Sequence, residues 1–113
     1  MAYDEQLADR VRAALPADAI VEERKMFGGL TFMLNGSMCC GVFKDALMAR
    51  LGAEGRERAV GHPHVRPMEL AGRPMTGMVL VDPPGLGDAA LQGWVDQAAD
   101  WALRLAPAPR LDS

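Results

Sequence analysis

A chain of 113 residues, 50% hydrophobic and 24% charged, has the size and composition of one globular domain that buries roughly two-thirds of its unfolded surface, which excludes a disordered polar chain. Its formal net charge of −3 denies it the broad basic field that attracts phosphate backbones, so direct nucleic-acid binding is not expected. The opening Met1-Ala2-Tyr3-Asp4-Glu5-Gln6 leads into no apolar signal region, and no apolar run reaches the ~20 residues of a membrane span, so a cytoplasmic protein is expected.

The first element is a helix from about Asp4 to Leu15, where Tyr3, Leu7, Val11 and Leu15 form one apolar stripe and Pro16 ends the ladder. A mostly polar strand follows over Ala19 to Phe27, as an edge strand or one entering the sheet would read. The chain is then organised around Arg24 to Leu51, where two apolar runs flank Asn35-Gly36. That dipeptide tolerates the positive φ of a type I′ turn, and it predicts a hairpin pairing Leu34 with Ser37, Met33 with Met38, Phe32 with Cys39 and Thr31 with Cys40. A second turn near Lys44-Asp45 pairs Phe43 with Ala46 and Val42 with Leu47. Ala46 to Leu51 has helix-forming residues, but its alternation and the closing Gly52 favour a strand.

Ala53 to Val60 reads as a short polar helix, broken by Gly61-His62-Pro63-His64. Val65 to Leu70 and Arg73 to Val81 resemble two further strands, with Met68 and Leu70 aligned against Met75, Val79 and Val81, and with Pro67 or Pro74 at a sheet edge because neither has a donor. The last helix starts near Asp88 as N-cap and carries Leu91, Trp94, Val95, Ala98, Ala102 and Leu105 at helical spacing, until Pro107 and Pro109 stop it. One domain over residues 1–106 with a flexible tail over 107–113 is the expected organisation.

The predicted register places Thr31, Met33, Met38, Cys40, Val42, Leu47, Ala49 and Leu51 on one sheet face. Leu30, Phe32, Leu34, Cys39, Phe43, Met48 and Arg50 fall on the other. A sheet wetted on one side alternates apolar with polar residues, and this one is apolar on both. One helical layer covers one face, so the face carrying Phe32, Phe43 and Met48 is expected to meet a partner chain, with a homodimer the first expectation.

Candidate chemistry is sparse. Cys39 and Cys40 are adjacent, neighbours in a strand point to opposite faces, and small buried hydrophobes explain them better than a redox or metal site. His62 and His64 are the only histidines, too few for a zinc site at recognisable spacing, and they read as part of a surface turn. The methionines fit gap-filling or adaptable contact surface rather than soft-metal binding. Gly28-Gly29 is followed by a strand, which suits a turn rather than a phosphate cradle. Basic residues are interspersed with acids, as on a mixed-charge solvated surface. No nucleophile, base and orienting acid can be named, so no enzyme, no cofactor and no metal are expected.

The stretch Arg24-Lys25-Met26-Phe27-Gly28-Gly29, the strands around Asn35-Gly36, and Asp45 to Leu51 resemble the N-terminal domain of the TfoX (Sxy) family of bacterial competence regulators. Arg66-Pro67-Met68, Gly72-Arg73-Pro74-Met75 and Val79-Leu80-Val81-Asp82-Pro83 are similar to that family's second strand pair, and Trp94 to Leu105 to its closing helix. The resemblance implies a two-layer α+β fold, helix, three strands, helix, two strands, helix, with an antiparallel sheet of about five strands and helices on one side, as in type III secretion chaperones. It also implies a stand-alone domain without the second, C-terminal domain of regulators that act with the cyclic-AMP receptor protein, and it carries over no catalytic residues. The expected function is a non-enzymatic protein-interaction domain, an accessory regulator related to competence and transcription regulators, forming a homodimer or meeting a regulatory protein partner. The alternative is a small-ligand or metal-binding module using Cys39, Cys40 and the methionines.

Overall fold

In the computed structural model, which describes residues 3–105 except 27 and 71, the chain opens with helix α1 (Glu5–Ala14). Asp4 caps it: its carboxylate accepts from the backbone N–H of Gln6 at 2.9 Å and of Leu7 at 3.1 Å, satisfying donors that the first turn leaves free. The helix stops because Leu15, preceding Pro16, takes the extended conformation that proline imposes on the residue before it.

Strands β1 (Val21–Met26), β2 (Gly29–Leu34), β3 (Ser37–Phe43) and β4 (Ala46–Arg50) follow, then helix α2 (Gly52–Ala59), strands β5 (Val65–Leu70) and β6 (Arg73–Val81), a 3-10 turn over Pro83–Gly85, and helix α3 (Asp88–Leu105). The six strands form one antiparallel sheet in the order β1-β2-β3-β4-β6-β5. The sheet, expected to have about five strands, has six, with β1 pairing with β2 along its whole length, from Val21 opposite Leu34 to Met26 opposite Gly29. The expected flexible tail, residues 107–113, and the prolines that would end α3 lie outside the described residues.

Both predicted turns are present. Asn35 and Gly36 have φ of 49° and 86°, and the Asn35 side chain accepts from the Ile20 N–H at 2.9 Å while its own N–H donates to the Ile20 carbonyl at 2.9 Å. Ala46 to Arg50 is a strand, with Leu47 opposite Val81 and Ala49 opposite Val79. The corner after it is tight: the Leu51 N–H donates to the Gly77 carbonyl at 2.8 Å, and a Cβ on Gly77, which has φ of 77°, would lie 3.0 Å from the Cα of Gly52. Only glycine fits such a left-handed close approach.

The β5–β6 hairpin departs from the predicted alignment. Val65, Arg66 and Pro67 oppose Val81, Leu80 and Val79, but Glu69 opposes Pro74, so β6 carries extra residues around Gly77. This irregularity sends Met68 to the face of Met78 and Leu80, away from Val79 and Val81. Pro67 lies on β5, an edge strand, where a missing N–H costs no ladder bond.

All three helices lie on one side of the sheet. Val11 of α1, Ala59 of α2, and Leu91, Val95, Ala98 and Ala102 of α3 share a core with Phe32, Leu34, Val42, Leu47, Val79 and Val81. In α3 the described burial follows the predicted stripe through Ala102, with Trp94 half-buried, while Leu105 is exposed and Asp88 sits in the first turn rather than at the cap. Among the described residues no helix is long and apolar enough to cross a membrane.

Candidate functional site

The seven residues expected to share a docking face do not share one. Met33 opposes Met38, but the next pair is Phe32 with Cys40, then Thr31 with Gly41 and Leu30 with Val42. β3 therefore has one residue more than β2 at this point, a β-bulge at Cys39, and a one-residue slip transfers a strand's side chains to the other face. The pairing of β3 with β4 is as expected, Gly41 with Met48 and Val42 with Leu47, so it is β2 that changes sides. Leu30, Phe32, Leu34 and Cys39 enter the core under the helices. Phe43, Met48 and Arg50 remain on the other face, with the Arg50 guanidinium 3.5 Å from the Met38 carbonyl.

That open face has no helix over it and is lined by methionine. Met33, Met38, Met48, Met68, Met75 and Met78, six of the chain's eight methionines, lie on it with Ala46 and Leu80 between them. Met48, Met68 and Met78 are buried, while Met38, Phe43 and Met75 are half-exposed around them. The Lys44 ammonium stands 5.4 Å from the centroid of the Phe43 ring. Apart from Arg50 on the central strand β4 and Lys44 at the β3–β4 turn, charge lies at the margins: Arg24 and Glu22, paired at 3.1 Å, at the β1 edge, and Arg66, which grips Asp82 with Nε and Nη2 at 3.1 and 3.0 Å, at the β5 edge. An apolar centre with a polar rim is the usual anatomy of a protein contact. Buried within this face, the Thr31 hydroxyl has no hydrogen-bond partner among the described residues.

The bulge also corrects the reading of the cysteines. Cys39 and Cys40 do not diverge; both are buried in the helix-side core as free thiols. The hydrogen bond to Cys39 and the surrounding burial hold the Cys40 thiol well above its ordinary pKa, which keeps it protonated and a poor nucleophile or metal ligand. Elsewhere the displaced groups are partners in surface ion pairs. Hydrogen bonds from Arg12 hold Glu23 below the ordinary carboxylate range, and those to Asp82 raise Arg66.

His62 and His64, read from sequence as part of a surface turn, line a cleft of about 620 Å³ between α2, the 61–64 loop, the 3-10 turn and α3. The His62 ring meets Trp94 edge-on, with centroids 5.5 Å apart and planes at 83°. Arg58 and Gln97 complete the polar wall. The sequence places Trp94 in the α3 stripe; it packs against the core as a partly buried residue and also lines this cleft, and periodicity alone carries no signal of that second role.

A family model described as the TfoX N-terminal domain matches residues 4–102. No curated protein and no solved structure matches the chain.

Proposed function

The chain belongs to the TfoX N-terminal-domain family, and from that premise we propose that it is a non-enzymatic protein-interaction domain, an accessory regulator whose methionine-lined sheet face docks a second copy of itself. The observation that carries this reading is the open face: a helix layer on one side of the sheet only, and half-exposed Met38, Phe43 and Met75 ringing a buried methionine floor on the other. Methionine is flexible and polarisable, and its thioethers suit a surface that must adapt to a partner. In a two-fold interface the same patch meets itself, and the Glu22 and Arg24 side chains on one margin supply both signs of charge for such self-complementary contact. A regulatory protein partner is the other occupant the face could take.

A reducing, cytoplasmic setting suits two adjacent free cysteines. Sedimentation equilibrium at micromolar concentration tests the proposal. The expected result is a dimer that Met38→Glu or Phe43→Glu converts to a folded monomer, judged by unchanged far-UV circular dichroism. A monomeric wild type, or a dimer indifferent to both substitutions, sinks it.

A further inference from the structure

The cleft among the helices is independent of the open sheet face, and its chemistry is different. We propose that it is a binding site for a small planar anion, an aromatic or heteroaromatic carboxylate. Its volume of about 620 Å³ is in the range of small-molecule sites, roughly 300–1,000 Å³. Arg58, His62, His64 and Gln97 line it, and among the described residues no carboxylate does, although the chain as a whole carries a net charge of −3. Arg58 is the one formal charge in the described lining, and it is a cation.

Three further features point to a flat ligand with a carboxylate. The perpendicular rings of Trp94 and His62 form a corner in which a planar group can stack on one ring and meet the edge of the other. Arg58 is available to fork onto a carboxylate: its present partner, Glu54, is 4.0 Å away and both side chains are mostly exposed, so that pair holds it weakly. His64 has φ of 68°, a left-handed turn conformation in which histidine is enriched, so the loop carries its ring to the cleft wall within one residue of the β5 start. It is held by the Asp82 N–H, which donates to the His64 carbonyl at 2.8 Å. Room for the ligand comes partly from Gly93, where an added Cβ would meet nothing within 4 Å.

The test uses the whole chain, with 2-naphthoate, its neutral analogue 2-naphthamide, and inorganic phosphate as probes. Binding is read from the indole N–H resonances, which distinguish Trp94 from Trp101. Saturable displacement of the Trp94 signal by 2-naphthoate in the millimolar range or tighter is expected, with Trp101 unmoved. The amide should bind at least about tenfold more weakly, and Arg58→Met, at an exposed position, should weaken the carboxylate by about tenfold with no change in melting temperature. Absence of saturable binding, equal binding of acid and amide, an unaffected Arg58→Met, or phosphate binding as tightly as 2-naphthoate each overturns the assignment.

Discussion

Phe32 and Phe43 distinguish a bulged ladder from a straight one. With a straight hairpin the two rings share a face, and a partner that buries one buries both. With the extra residue at Cys39, Phe32 is fully buried under the helices, its ring 5.6 Å from the Arg12 guanidinium, while Phe43 stays half-exposed on the open face. Removing a fully buried ring costs about 3–5 kcal/mol, a large share of the roughly 5–15 kcal/mol that holds a domain together. Truncating the partly exposed one removes less buried area and leaves no enclosed cavity, a loss of about 1–2 kcal/mol. Urea unfolding of Phe32→Ala and Phe43→Ala, at a concentration where both are monomeric by mass, measures the difference, because linked dimerisation otherwise adds its own stabilisation. Phe32→Leu, expected to lose about 1–2 kcal/mol, keeps the comparison open if the alanine variant fails to fold. Losses equal within about 0.5 kcal/mol, within the scatter of such measurements, would refute the bulged register.

Thr31→Val is expected to stabilise the protein by about 1 kcal/mol and to raise the calorimetric melting temperature by about 4 °C, because it replaces a buried hydroxyl without a partner among the described residues with a methyl of the same shape; a lower melting temperature would mean the hydroxyl is satisfied. Asn35→Ala loses the bond from the Ile20 N–H and forces alanine to a φ of 49°, a combined cost of about 2 kcal/mol in urea unfolding, and Asn35→Gly, which keeps the conformation and loses only the bond, should cost about half as much. Glu23→Gln tests the pair in which Arg12 Nε and Nη2 donate at 2.6 and 2.9 Å. The folded-state pKa of Glu23 lies below its unfolded value, so the stabilisation is complete above the ordinary carboxylate range and disappears as the pH falls through the folded value. With both side chains about 40% exposed, the deficit of the glutamine variant should be about 0.5 kcal/mol at neutral pH and should fade as the pH falls below the ordinary carboxylate range, followed by thermal unfolding as the pH is lowered.

The elements and turns were legible because their causes are local. Asn35-Gly36 and Lys44-Asp45 each specify a reversal within a few residues, Pro16 ends α1, and the alternation of Leu47 and Ala49 with Met48 and Arg50 marks β4 as a strand, with α2 starting only at Gly52. Strand register was legible only as far as alternation constrained it. Where one face is wet, a one-residue slip exposes the core and the pattern forbids it. Here Leu30 to Leu34 and Met38 to Val42 are almost wholly apolar, so an inserted residue at Cys39 leaves an equally apolar pattern on both sides. The same holds for Met68, displaced by the extra residues near Gly77.

What separates the two faces is the shape of their side chains rather than their polarity. After the bulge, Leu30, Phe32, Leu34, Val42 and Leu47 face the helices, where a close-packed core demands few voids and well-defined rotamers. The unbranched methionines gather on the face with no helix, where packing against an adaptable surface favours a side chain with several rotatable bonds. A hydrophobic-polar reading counts leucine and methionine alike and cannot see this sorting, yet the sorting is what makes the straight register physically worse. The cleft was hidden for a different reason. Arg58, His62 and His64 are close in the chain, but Trp94 and Gln97 reach the same cleft from α3 about thirty residues later, and no local pattern encodes which loop packs beside which helix.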